Sequence, residues 1–292
     1  MVFGHSISFS NYPQWSEIPI EGKHITISPV EQPQFYYISL WSRHLNCNIR
    51  YLSFEPFSQT IYTKPMVWAL QIENLMTLIW YPETKTIGYV PSRDFTLESL
   101  RFWIYHTFLP LLFQMEGTYH ILHAGGIQIG RYATLFTAPA FGGKSTLTAS
   151  FLEDGFALLG DDTIAIERKK EGVYCAWASY PFYKPFREVG TLGYEAKHMF
   201  TKPSSSMVLF VLQRVNAEER VEIEQLEGIA KFQALHRSAF VPIAMLKEKI
   251  FTFEMMLLDA IEIYSVTIPW GMENLSNVKK SIIEHIGNLE KT

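Results

Sequence analysis

A run of strand-forming residues, Tyr132–Thr137, passes into a loop of small residues, Ala138-Pro139-Ala140-Phe141-Gly142-Gly143, and then into Lys144-Ser145-Thr146 at the head of a helical stretch. This strand–loop–helix order narrows the fold more than any other feature. A six-residue apolar strand has to be covered on both faces, and a helix that follows it at once has to pack back on the same sheet, which implies α/β layers. The chemistry of the loop points the same way. Glycines let the backbone approach a ligand closely, and the first amides of the helix point outward with favourable dipole charge, so this geometry cradles phosphate. Lys144 would place its ammonium on the β- and γ-phosphates, and Ser145 would offer a hydroxyl to Mg²⁺. The loop, residues Ala138 to Thr146, departs from Gly-x4-Gly-Lys-Ser/Thr at its first position. Ala138 fits there only if its φ is negative.

Two further elements bear on the same chemistry. Lys144–Asp154 reads as a helix ended by Gly155, and Phe156–Leu159 reads as an apolar strand that delivers Gly160-Asp161-Asp162. One helix, a turn and a strand separate the acidic pair from Ser145, so this strand is expected beside the phosphate-loop strand with both carboxylates near the loop. One carboxylate would hold Mg²⁺ and the other would accept a hydroxyl proton. Upstream, His123 in Leu122-His123-Ala124-Gly125-Gly126 would orient a carboxylate or shift its pKa if its strand passes beside the pair. Turn chemistry also explains Gly-Asp, and a lone histidine is commonly structural.

The joint order and spacing of these three segments resembles the catalytic domain of bacterial HPr serine kinase/phosphorylases and their relatives, among them kinases encoded with peptide natural products such as lasso peptides. The resemblance rests on Leu-His-Ala-Gly-Gly at 122–126, the loop at 138–145 and Gly-Phe-Ala-Leu-Leu-Gly-Asp-Asp at 155–162. It implies a P-loop kinase domain with a fold like the nucleotide-binding domain of phosphoenolpyruvate carboxykinase. It also implies transfer of a γ-phosphoryl group from ATP or GTP, with Mg²⁺, to a Ser/Thr hydroxyl of a small protein or peptide. By resemblance, Lys144 is the phosphate-loop lysine, Asp161 is the acid/base, Ser145 and Asp162 are metal ligands, and His123 sits beside that metal-site aspartate. Thr146 stands where HPr kinases carry a glutamate, and their Arg-Asn-rich C-terminal signature is not found. Relatives acting on acceptors other than HPr therefore fit better. The resemblance also leans toward a homo-oligomer. Two other readings stay open: a kinase for a sugar, nucleoside or other small molecule, and a non-catalytic nucleotide-binding adaptor.

The rest of the chain gives context. Residues 1–95 read as a β-rich domain, with runs at Phe35–Leu40, Ile49–Phe54, Met66–Ile72, Met76–Tyr81 and Thr86–Val90 that suggest an antiparallel sheet. Five of the seven tryptophans lie within the first 103 residues. They are read as core packing, or as a recognition surface for an acceptor or partner. Residues 96–117 read as a buried connecting helix capped by Asp94 or Thr96 and bent at Pro110. Residues 118–292 read as an α/β domain, catalytic by the resemblance, so an α+β chain is expected overall. Lighter readings give Lys184, Arg187 and Arg214 a reach to phosphate or surface roles, His236-Arg237 a solvated helix face, and Met255–Leu258 a core position.

Composition sets the limits. Hydrophobic residues make up 48% and charged residues 18%, enough for a sizeable core. A net charge of −4 argues against a general nucleic-acid binder. Two cysteines exclude a disulfide scaffold. The start of the chain lacks the basic and apolar regions of a signal peptide, and the most apolar stretch, Leu97–Met115, carries Glu98, Arg101, His106 and Pro110. A cytoplasmic protein without membrane association is expected.

Overall fold

A computed structural model describes residues 1–44, 47–54, 66–139, 141–184, 191–200, 202–240 and 246–291. The chain divides into two compact units. One is Met1–Thr118 with a short excursion ending at Leu192, and the other is the remainder from Tyr119 onward. The fold is mixed α+β. No helix among the described residues is long and apolar enough to cross a membrane.

The first unit is built on a seven-stranded sheet. Its order is Ser6–Phe9, His24–Pro29, Thr86–Pro91, Met76–Tyr81, Trp68–Ile72, Cys47–Ser53 and Tyr37–His44. The expected antiparallel meander accounts for only part of it. Ser6–Phe9 pairs parallel with His24–Pro29, which pairs parallel with Thr86–Pro91. Turn residues between neighbouring runs signal local hairpins, whereas the second parallel pair joins segments far apart in the chain, which hairpin logic does not reach. Trp68, Trp80 and Trp103 are buried, as the packing reading requires. Trp68 stacks on Phe108, with ring centroids 4.8 Å apart, and Trp80 donates to Glu116.

The helical segment of this unit starts at Thr96, whose hydroxyl accepts from the Ser99 N–H while Ser99 returns a bond to the Thr96 N–H. It does not simply bend at proline. An α-helix, Leu97–Trp103, passes through a π-helical turn, Ile104–Phe108, into a second α-helix, Leu109–Glu116, with Pro110 in its first turn. Pro110 has no N–H to give back along the ladder, and the wider turn resets the bonding just ahead of it.

The second unit holds a six-stranded sheet ordered Leu158–Gly160, Gly125–Ile129, Tyr132–Thr137, Met207–Val215, Glu262–Pro269 and Ile223–Gln225. The Tyr132–Thr137, Met207–Val215 and Glu262–Pro269 strands run parallel, and the flanking pairings are antiparallel. One face packs on the Lys144–Glu153 and Leu275–Leu289 helices through Leu147, Phe151, Val278, Ile282 and Ile286. The other face packs, through Leu135, Leu209 and Ile263, on Ala234, Leu235 and Leu257 of the Gly228–Arg237 and Lys247–Leu257 helices. The small sheet formed by Tyr174–Trp177, Ile164–Arg168 and His120–Leu122 joins the same core.

Those last two helices correct the lighter readings. His236 is not simply solvated, because its Nδ1 lies 2.8 Å from Oε2 of the fully buried Glu254. Of Met255–Leu258, Leu257 is core, whereas Met255 and Met256 are exposed. Glu254 also faces the buried His120, whose Nε2 is 3.9 Å from Oε1. Burial lowers the His120 pKa to about 3 and raises that of Glu254, an effect that the His236 bond opposes. A histidine kept neutral by the fold takes up its proton only on unfolding, so its contribution is lost as pH falls from 6.5 toward 3. Glu254 acts with the opposite sign. Urea unfolding at pH 7 and pH 4 should therefore show a loss of stability on acidification that is smaller in His120→Gln. An equal loss in both proteins would contradict this.

Candidate functional site

The loop after Tyr132–Thr137 is built from backbone conformation. Ala138 is not among the positive-φ residues, so the alanine sits where a glycine's freedom is not required. The Gly142 N–H donates to the Pro139 carbonyl at 2.8 Å and closes a tight turn. A Cβ on Gly142 would lie 2.5 Å from the Ala138 Cβ, so the turn tolerates no side chain there. Gly143, with φ +92°, caps the Lys144–Glu153 helix. The first-turn amides of Lys144, Ser145 and Thr146 have no intrahelical acceptor and form an anion-binding end. Phe141 is 72% exposed and holds φ +63°, a conformation that costs a bulky residue energy. Ala140 lies outside the described residues.

The acidic pair reaches the loop by a different route from the expected one. The Leu158–Gly160 strand does not lie beside Tyr132–Thr137, because Gly125–Ile129 intervenes and pairs antiparallel with both. The tight Gly130-Arg131 connection makes Gly125–Ile129 and Tyr132–Thr137 a local hairpin, and that hairpin takes the position. Small residues keep the displaced strand close enough. A Cβ on Gly125 would meet Thr148 Oγ1 at 2.6 Å, Lys144 Cγ at 3.2 Å and the Asp161 carbonyl at 3.4 Å.

Across that gap, Lys144 Nζ donates to Asp162 Oδ1 at 2.8 Å. His123, half exposed just past His120–Leu122, lies with Nδ1 3.4 Å from the same oxygen and Nε2 3.4 Å from Lys144 Nζ. The structure thus brings together Lys144, Asp162 and His123, and places Asp161 next to them. Asp161 is 5% exposed, and its Oδ2 accepts from the Lys184 backbone N–H at 2.8 Å. Its Oδ1 is buried without a hydrogen bond. Burial raises the Asp161 pKa, and the Asp162 charge adds to this. The Lys184 amide, Lys144 and the Ser145 hydroxyl pull it down, in that order.

Several neighbours were not readable in the motifs. Tyr180 is buried beside both aspartates, and its phenol pKa is raised first by burial and then by Asp162 and Asp161. It arrives there because the Ile164–Arg168/Tyr174–Trp177 hairpin returns the chain and the Ser179 N–H bonds to the Leu159 carbonyl. Lys184 contributes through its amide. Arg214 stacks on Trp270 instead of reaching the loop, and Arg187 lies outside the described residues.

An orphan carboxylate oxygen, a neighbouring carboxylate and a serine hydroxyl are hard oxygen donors of the kind Mg²⁺ takes. Among the described residues no group of three or more His, Cys, Asp or Glu is placed to hold a metal ion.

No family model matches the chain, and no curated protein matches it in sequence. Among solved structures, the HPr(Ser) kinase/phosphatase from Coxiella burnetii is a distant neighbour. It is 13% identical with a TM-score of 0.36, and the match covers 58% of this chain and 98% of that one. So remote a likeness leaves the meaning of the site to its own geometry.

Two outcomes follow. Gly125→Ala forces Thr148 and Lys144 apart and should cost about 1–3 kcal/mol in urea unfolding; unchanged stability would contradict the close approach. Asp161→Asn removes a charge that burial disfavours and should raise the melting temperature of the ligand-free protein by about 2–4 °C; a fall would contradict the buried-charge account.

Proposed function

We propose that the second unit binds a nucleoside triphosphate with Mg²⁺ and transfers the γ-phosphoryl group to a hydroxyl. The acceptor is a serine or threonine of a small protein or peptide, and the β-rich first unit serves its recognition. The observation that carries this reading is the meeting of Lys144, at the amide-rich start of a helix, with Asp162, beside the buried Asp161. A cation at a helix N-terminus opposite two carboxylates is a poor stabilising device, since the helix dipole disfavours it there. It is a good arrangement for receiving a polyphosphate with its counter-ion.

In this reading the loop amides and Lys144 hold the β- and γ-phosphates and offset the charge that develops on the transferring group. Ser145 and Asp162 would hold the Mg²⁺, with Asp161 beside them. When bound, that ion neutralises phosphate charge. Asp161 accepts the acceptor's hydroxyl proton. Its raised pKa suits a base that must take a proton during attack and be relieved of it afterwards. His123 orients Asp162 once Lys144 has turned to phosphate. Most of the rate enhancement is positional and electrostatic.

Incubation with radiolabelled ATP or GTP, Mg²⁺ and candidate peptides tests this. Asp161→Asn should lower transfer by about 10²–10⁴-fold while nucleotide still binds. Lys144→Ala should lower it by about 10²–10³-fold and weaken nucleotide binding as well. Labelling of a metabolite pool with no protein or peptide labelled would replace the acceptor class. Tight nucleotide binding with no turnover, unaffected by Asp161→Asn, would replace the enzyme with an adaptor.

A further inference from the structure

Trp270 is 57% exposed, an uncommon state for so large an apolar ring. It is also held firmly. Its backbone N–H donates to the Val215 carbonyl at 3.1 Å, and its backbone carbonyl accepts from Asn274 Nδ2 at 2.9 Å. Gly271 follows at φ +119°, where a side chain would collide with Glu273. The Arg214 guanidinium carbon lies 3.9 Å from the centre of the indole ring. Arg214 and Trp270 therefore form an open, cationic and aromatic platform on an anchored backbone.

The sheet register places it. Tyr132–Thr137, Met207–Val215 and Glu262–Pro269 are consecutive and parallel, with Thr137 opposite Val211 and Val215 opposite Pro269. The loop leaves the carboxyl end of the first strand. Arg214 and Trp270 lie at the carboxyl ends of the other two, on the same edge of the sheet. From Thr137 to Pro269 the displacement is about 13 Å along the strands and about 10 Å across them. The carboxyl edge of parallel strands is where α/β sheets take ligands. A ligand whose phosphates occupy the loop would extend along this edge.

We infer that the Arg214–Trp270 pair is the nucleobase subsite. A purine stacks on the indole, the ribose and α-phosphate bridge back to the loop, and the guanidinium adds a cation–π contribution. Stacking reads the face of a base and not its edge, so adenine and guanine are both accepted. This rests on the proposed phosphate site, and the test separates the two claims.

Affinities are measured by calorimetry with Mg²⁺ for ATP, GTP and inorganic tripolyphosphate, on the full chain and on Trp270→Ala and Trp270→Phe, with circular dichroism as the check on folding. Trp270→Ala should weaken ATP and GTP by about five- to a hundred-fold and leave tripolyphosphate unchanged. Trp270→Phe, which keeps a ring, should recover most of the loss. ATP should also quench indole fluorescence in the unaltered chain but much less in Trp270→Phe. The inference is overturned if Trp270→Ala leaves ATP affinity intact, or if it weakens ATP and tripolyphosphate equally. If neither ligand binds the unaltered chain, the phosphate-loop reading fails and this one fails with it. If tripolyphosphate binds but the base adds nothing, only the base subsite is lost.

Discussion

The ion pair between Lys144 and Asp162 joins the start of a helix to the acidic segment across an intervening strand. Lys144 starts a helix that packs on one face of the sheet, and Asp162 lies just past the Leu158–Gly160 strand, two positions from Tyr132–Thr137 in the sheet order. The pair is largely sheltered, with 11% and 29% side-chain exposure. Two charges partly removed from water gain little over their hydration unless the geometry is good and other groups complete their bonding. Here the completing group is His123, whereas the neighbouring Asp161 adds a like charge beside Asp162. Lys144 and Asp162 neutralise each other, and with Asp161 they present one cation and two carboxylates to whatever displaces the internal contact.

Three glycines make that meeting sterically possible. Gly125 and Gly126 bring their strand under Lys144 and Leu135, and Gly160 lets Ser179 and Thr163 close over the end of the acidic strand. With no side chain at Gly125 the helix sits close on the intervening strand, so Lys144 reaches across it to a carboxylate one strand further away. The same closeness buries Asp161 and leaves one of its oxygens unpaired. An orphan buried acceptor beside a sheltered ion pair is unfavourable for folding, and such defects concentrate where a ligand repairs them.

Much of this was legible in the sequence, and what was legible is local. The strand, small-residue loop and helix follow one another directly, so residue type alone indicates the glycines as positions of close backbone approach and Lys144 as the first helical residue. Asp161 and Asp162 follow an apolar run, which is enough to place them at a strand end. The order of strands was not legible, since it depends on which pairing forms across the sheet and not on any one segment. Tyr180 and the Lys184 amide enter through a hairpin that folds back, and nothing in Ser179-Tyr180-Pro181 marks them for the site. The parallel strands of the first unit and the burial of Glu254 escaped for the same reason. Each is decided by a partner distant in the chain, and a charged residue on a helix carries no sign of whether its face meets solvent or a buried histidine.

The most direct measurement is a crystal structure of the full chain with a non-hydrolysable ATP analogue and Mg²⁺. The account predicts that Lys144 Nζ leaves Asp162 for a β- or γ-phosphate oxygen, that the amides of residues 142–146 point at the phosphates, and that Asp161 and Asp162 both face the γ-phosphate. A triphosphate bound elsewhere, or a loop that stays empty while Lys144 keeps its bond to Asp162 at saturating nucleotide, would contradict it.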